Sequence, residues 1–395
     1  INPMLFGIDI KDSVKPIVSS LFVYPTGDGS YVKKSNNRQK LRLIPLQSGD
    51  YVAENIEAFG EIGFGINTTD RQDLAANNNG VFKIETFFNG NQNFEIDFKK
   101  FSFDESSHIN RLIDYEMFKT EKQRVQKLFD DNNPLSLFQS VLNNGYVKIP
   151  DSTNSVYKIK ITDFKNNETW VTVNIKGQKS EAIETIKPQT TPYYIYTDQT
   201  TTLKEGNVSV DLFSNTFYEN FYIDFKVSND TLMLHKDIIP LKKSIKINFD
   251  VSKYSDADKS KLYIAELLGY RKYPSYSYTR RSANTLYTLT KTLGTYALTT
   301  DDTNPTITPV NFKDGQWLSN FRYLKIEIED DLSGISNYRA IVNGKWILME
   351  YEYKTKTLTF DFNDGNITDT KNNLKVIVTD NVGNSSTFEA LFYRK

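Results

Sequence analysis

The chain has 395 residues, with 48 Lys and Arg against 49 Asp and Glu, 24 Tyr, 26 Phe and no Cys. That length exceeds one ordinary core and predicts about three domains, while the balanced charge excludes a whole-chain field for nucleic acid or an anionic membrane, leaving only local patches for such partners. Without Cys there is no disulfide, thiolate metal site or cysteine nucleophile, which fits a compartment where unpaired thiols are a liability.

Residues 1–10 read as a tail leaving a preceding domain. The chain begins at Ile1, with no initiator Met, signal peptide or apolar run of membrane-spanning length, so a processed or truncated piece of a longer protein is expected. A first module follows over 11–177. Its period-two segments predict strands at 17–24, 40–46, 62–67, 81–88 and 94–98. Between 104 and 131 the rhythm changes: Ile109, Leu112, Ile113 and Met117 fall at helical spacing behind the capping candidates Ser106 and Ser107, predicting an inserted helix. The stretch 121–129 either continues that helix or turns into a strand. A linker over 178–189 contains Lys187-Pro188. The middle domain, 178–300 with this linker, shows strands near 193–196, 207–212, 222–227, 245–249, 261–267 and 296–298, with a turn at Ser255-Asp256-Ala257-Asp258. The last module, 301–395, alternates at 324–328, 338–342, 346–349, 357–362 and 374–379, as an immunoglobulin-like sandwich requires.

The first and last modules read as copies of one another. Asp12-Ser13-Val14-Lys15-Pro16 corresponds to Asp301-Asp302-Thr303-Asn304-Pro305, and Phe88-Asn89-Gly90 to Val342-Asn343-Gly344. Thr162-Asp163 with Asn167 corresponds to Thr379-Asp380 with Asn384. An acidic-to-Pro opening, a central Asn-Gly hairpin and a final strand hinged on Thr-Asp suit a small antiparallel sandwich. The expected fold is therefore all-β, tandem immunoglobulin-like β-sandwiches with a short helical insertion in the first.

Catalytic chemistry is sparse. The two histidines, His108 and His235, lie in different predicted domains, so no closely spaced pair offers a zinc site. No Gly-x-Ser-x-Gly elbow occurs, and Gly60-Glu61-Ile62-Gly63-Phe64-Gly65 lacks dinucleotide spacing and alternates like a strand. Carboxylates gather at Glu327-Ile328-Glu329-Asp330-Asp331 and at Asp256-Ala257-Asp258. Calcium could use such oxygens, but solvated turns capped by their own Asp side chains are the simpler reading. The best candidate for partner binding is the strip containing Tyr270, Arg271, Tyr273, Tyr276, Tyr278, Arg280 and Arg281, where rings able to stack on sugars alternate with cations able to hold carboxylates. An edge hairpin rich in Tyr would look the same. Asp12-Ser13-Val14, Asp151-Ser152-Thr153 and Asp230-Thr231-Leu232 also match a loose pattern resembling O-glycosylation acceptors of exported Bacteroidota proteins.

Several segments together resemble one family. Ile1-Asn2-Pro3-Met4-Leu5-Phe6-Gly7, Ile62-Gly63-Phe64-Gly65-Ile66, Leu112-Ile113-Asp114-Tyr115-Glu116, Arg124-Val125-Gln126-Lys127-Leu128-Phe129 and Gly344-Lys345-Trp346-Ile347-Leu348-Met349-Glu350-Tyr351 are similar to the region following the catalytic domain in lysostaphin/LytM-type zinc metallopeptidases of the Bacteroidota. Members of that family cut peptide cross-links in peptidoglycan. Their zinc ligands cannot be placed here, so the resemblance implies no catalytic, metal or cofactor-binding residue in this chain and a zinc domain upstream of Ile1. It further implies export to the periplasm or outer membrane, with peptidoglycan or an outer-membrane or periplasmic protein complex as partner. A docking subunit with a vestigial or absent peptidase domain, or an array of glycan-binding modules, are the alternatives.

Overall fold

A computed structural model of the chain describes residues 2–8, 10–180, 190–365 and 367–395; most of the expected linker lies outside them. The fold is all-β, a tandem series of β-sandwich modules. Two compact units partition the chain: 1–192 with 237–242, and 193–236 with 243–395.

In the first unit, the long antiparallel strands Ile17–Val32 and Ile56–Thr69 anchor a twelve-stranded sheet folded over one core. Register shifts at Val18/Ser20 and Thr26/Tyr31 bend the pair, as bulges do. Leu21, Phe22 and Val23 are all buried, although neighbours on a strand point to opposite faces. The inserted segment explains this, because Met117 and Val125 cover Phe22 on the outer side. Glycines permit the close approach: a Cβ on Gly63 would stand 2.5 Å from Phe129 Cδ1, and one on Gly65 would stand 2.9 Å from Tyr24. The glycine-rich run is thus a strand beneath an aromatic lid.

The insertion is not one helix. A 3₁₀ turn at Asp104–His108 leads into the α-turn Ile109–Leu112, the chain extends at Ile113, and a second helix runs over Tyr115–Glu121. Neither Ser106 nor Ser107 caps it. Asp114 does, accepting from Met117 N at 3.0 Å through Oδ1, while its Oδ2 takes Tyr24 Oη at 2.9 Å and Arg38 Nη1 at 2.7 Å. This buried carboxylate is satisfied on both oxygens, and that need breaks the helix where it does. Lys122, at φ 60°, ends it, and Gln126–Lys127 then pairs with Gly65 and Ile66 as a short strand.

In the second unit, the middle module stacks two five-stranded sheets, one ordered 201–205, 208–212, 245–250, 285–290, 280–282 and the other 225–228, 231–234, 294–300, 262–268, 273–277. The turn expected at 255–258 is instead the start of the helix Asp256–Lys261. Ser255 caps it, Asp256 and Asp258 sit in its first turn and Lys259 and Lys261 in its last, each charge placed to suit the helix dipole. The last module pairs a four-stranded sheet (306–309, 323–329, 357–361, 350–352) with a five-stranded one (316–317, 385–393, 371–380, 335–342, 345–347).

The duplication extends to hydrogen bonds. Both Asn-Gly turns have positive φ at both residues, 48° and 87° at Asn89-Gly90 and 49° and 80° at Asn343-Gly344, as tight two-residue hairpins require. In each, the Asn bonds the neighbouring strand twice. Asn89 N donates to Val156 O, and its Oδ1 accepts from Val156 N at 2.9 Å; Asn343 does the same with Asn373, at 3.0 and 2.8 Å.

Candidate functional site: an aromatic surface and two carboxylate triads

The strip 270–281 divides according to its backbone. Strand Tyr273–Ser277 pairs with Leu262–Leu268, and the turn between them carries Tyr270 and Arg271 into solvent. Tyr270, Tyr273 and Tyr278 are 87, 60 and 68 % exposed. Arg271 gathers two of these rings, donating Nε to Tyr270 Oη at 2.6 Å and Nη1 to Tyr273 Oη at 3.2 Å. Arg280 lies 5.4 Å from the Tyr278 ring centroid. The other two residues are structural. Tyr276 packs on the buried Tyr263 with centroids 5.7 Å apart and accepts from Thr279 N. Arg281 is spent on the carbonyls of Lys259, Ser260 and Leu262, closing the C-terminus of the helix 256–261.

A second aromatic cluster, missed in the sequence, lies on the small sheet formed by Tyr193–Ile195 and Phe221–Ile223. Tyr194 faces Tyr222 across the strands at 4.7 Å and Tyr196 at 5.0 Å, all three partly exposed. Its signal was the alternation Tyr193-Tyr194-Ile195-Tyr196, in which Ile195 is buried and the second and fourth positions point outward.

The histidines do not meet. His235 packs on Phe221 and accepts from Asp224 N at 3.2 Å through Nδ1, and burial lowers its pKa. His108 holds Asn133 through its carbonyl oxygen. Among the described residues, the side chains grouped closely enough to hold a metal are two triads of Asp: Asp12, Asp70 and Asp163 in the first module, and Asp301, Asp330 and Asp380 in the last.

The triads occupy equivalent places. Asp12 and Asp301 precede the opening strand, Asp70 and Asp330 end the strand that pairs with it, and Asp163 and Asp380 begin the last hairpin turn. Asn167 donates N and Nδ2 to the two oxygens of Asp163, at 2.8 and 2.7 Å, and Nδ2 also to Asp12 O. Asn384 repeats all three bonds with Asp380 and Asp301 O, at 2.8, 2.6 and 2.9 Å. Burial first, then the charges of Asp12 and Asp163, push the Asp70 carboxyl up to about 6. Asp330 is raised as well, burial again leading. The sequence reading placed Asp330 in a solvated turn as a cap of local backbone groups; its Oδ2 does accept from Leu332 N and Gly334 N, but the residue is only partly exposed and faces two buried carboxylates. Asp256 and Asp258 do stay in solvent, as helix-capping charges.

Of the three loose glycosylation matches, Ser152 stands on an exposed turn, Ser13 bonds Asp73 through its hydroxyl and Thr231 lies in a paired strand.

Residues 192–301 match the family model of the Zu5-like domain. No curated protein matches the chain. Similar solved structures include an endo-β-1,4-mannanase from Thermotoga petrophila, 12 % identical over 24 % of this chain with a TM-score of 0.21; the match spans only 20 % of that enzyme. The fibronectin(III)-like modules of Clostridium thermocellum CbhA are 8 % identical over 90 % of this chain and 94 % of theirs, with a TM-score of 0.19. SGBP-B of the Bacteroides ovatus mixed-linkage glucan utilization locus, solved with a mixed-linkage heptasaccharide, is 8 % identical over 94 % of this chain and 71 % of its own, with a TM-score of 0.15. At such identities the likeness is one of fold alone. Among the described residues, no helix is long and apolar enough to cross a membrane, which says nothing of a β-barrel.

Proposed function

We propose that this chain is the binding and positioning region of an exported cell-wall hydrolase of the lysostaphin/LytM type, and that its middle module contacts the wall. The observation that carries this reading is the exposure of Tyr270, Tyr273 and Tyr278 beside Arg271 and Arg280 on one strand-edge segment. Exposed rings stack on sugar faces, and guanidinium groups pair with the carboxylates of wall peptides. Two arginines bound to ring hydroxyls and faces hold the tyrosines in place before a ligand arrives, which reduces the ordering cost of binding. The catalytic zinc and its ligands belong, in this reading, to the domain preceding Ile1.

The test is co-sedimentation of the purified chain with insoluble peptidoglycan. Wild-type protein should pellet, and the triple variant Y270A/Y273A/Y278A should lose roughly tenfold in retention, the scale of one or two stacking contacts. Retention unchanged by the triple variant moves the contact elsewhere, first to Tyr194 and Tyr222. A wild-type chain that ignores peptidoglycan but pellets with outer-membrane vesicles supports the docking-subunit reading instead.

A further inference from the structure

We propose that each of the two duplicated sandwiches binds one calcium ion beside its opening strand, through Asp12, Asp70 and Asp163 in the first module and Asp301, Asp330 and Asp380 in the last. In each triad one oxygen per residue lies within 4.8 Å of the others. Calcium takes oxygens at about 2.3–2.6 Å, so ligands on opposite sides of the ion stand up to about 5 Å apart. The smaller magnesium ion, at about 2.0–2.1 Å, would require the group to contract. Three carboxylates exceed the ion's charge by one, and water and backbone oxygens complete the six to eight ligands it favours.

Turn geometry accounts for the last triad, where Asp330 Oδ2 accepts from Leu332 N at 3.3 Å and Gly334 N at 2.6 Å, and for part of the first. Asp163 and Asp380 are satisfied by the Asn and the amides of their hairpin turns, and Asp301 by Thr303 and Ser333. It does not account for Asp70. That residue is 6 % exposed, its Oδ1 meets no hydrogen-bond donor, and it faces two further carboxylates. The Arg71 amide serves the Asp70 carboxylate, but a buried carboxylate oxygen left with no donor is costly, and a metal ion is a partner that satisfies it. A cavity of about 320 Å³, lined in part by Asp12, Asp70, Asn79 and Phe164, gives an ion a way in. Lys165 lines the same cavity and its charge offsets part of that of Asp12. In the last module the fully buried Ser333 stands beside the triad, its N–H bonding Asp301 Oδ2 at 3.1 Å.

The consequence is mechanical. Each ion ties three pieces of chain that are far apart in sequence: the segment leading into the module, the end of the second long strand and the last hairpin. In the second unit this falls where the middle module meets the last one, since Asp301 N bonds Lys261 O at 3.1 Å and Lys261 also bonds Asn384. Calcium would stiffen that junction.

The experiment is titration of calcium chloride into the full chain after removal of metal with a chelator, followed by calorimetry and thermal unfolding. About two ions should bind per chain, with a rise in Tm of at least about 3 °C. D70N and D330N should each abolish one of the two and halve the rise. Metal-free D70N should unfold no lower than metal-free wild type, because the isosteric amide removes repulsion while keeping shape. A residue serving only as a hydrogen-bond acceptor would show a fall. No calcium uptake by the wild type, or two ions still bound by the D70N/D330N double variant, overturns the proposal.

Discussion

Replacing Asn384 by Ala tests whether the last hairpin turn holds its module together. The side chain is 6 % exposed, and its Nδ2 reaches Asp380 Oδ2 at 2.6 Å and Asp301 O at 2.9 Å. Truncation removes a charge-assisted bond of about 2 kcal/mol and a neutral one of about 1 kcal/mol, leaving both acceptors buried, and also the bond from Lys261 Nζ to its Oδ1, which water can replace at the partly exposed ammonium. The bonds from Val382 N and Asn384 N to Asp380 survive, so the expected loss is about 3 kcal/mol. N167A removes the corresponding bonds to Asp163 and Asp12 O from a more exposed place, where water can replace them; about 1.5 kcal/mol is expected there. The comparison is internal to one chain. Trp170 reports on the first module, and Trp317 and Trp346 on the last, so urea unfolding of metal-free protein followed by fluorescence separates the two transitions. With a slope near 2 kcal/mol per molar, N384A should lower the midpoint of the last module by about 1.5 M, and N167A that of the first by roughly half as much. A shift for N384A below about 0.3 M, or one smaller than that of N167A, refutes the reasoning.

G63A places a methyl 2.5 Å from Phe129 Cδ1, and the displaced ring should cost the first module about 1–3 kcal/mol, read as a lower urea midpoint; an unchanged midpoint shows that the aromatic lid is loose. Two amide N–H donors, Ser102 and Ser136, bind the Glu105 carboxylate and lower its pKa to about 2. Its contribution to stability is full above the ordinary value of 4.5 and is lost as pH falls through about 2, because the folded state resists the proton that the unfolded chain accepts. Carbon-detected titration should find Glu105 charged well below its ordinary range; an ordinary midpoint sinks the assignment. Burial keeps His235 neutral, so between its lowered pKa and 6.5 the unfolded chain binds more protons and stability rises with pH, complete above 6.5. An NMR midpoint for His235 above 6.5 would contradict this.

The duplication was legible because local chemistry carries it. Asn-Gly must form a tight hairpin whatever surrounds it, and Asp163 and Asp380 each accept from an Asn only four residues ahead. Asp12 and Asp301 were visible as landmarks of the two openings. What they face was not, since Asp70 and Asp330 arrive through strand pairing, with Ile17 opposite Thr69 and Thr306 opposite Glu329. The aromatic strip was found as composition, but Tyr276 and Arg281 left it once the sheet and the helix end claimed them.

By itself the sequence determined the all-β class, the repeated module and the turns at which its strands reverse, because alternation, Asn-Gly and Asp-x-x-x-Asn act over a few residues. The tertiary structure alone decided which carboxylates converge, which tyrosines remain in solvent and why the insertion breaks at Asp114. Those outcomes depend on pairing register and burial between residues tens to hundreds of positions apart, and no local pattern encodes that distance.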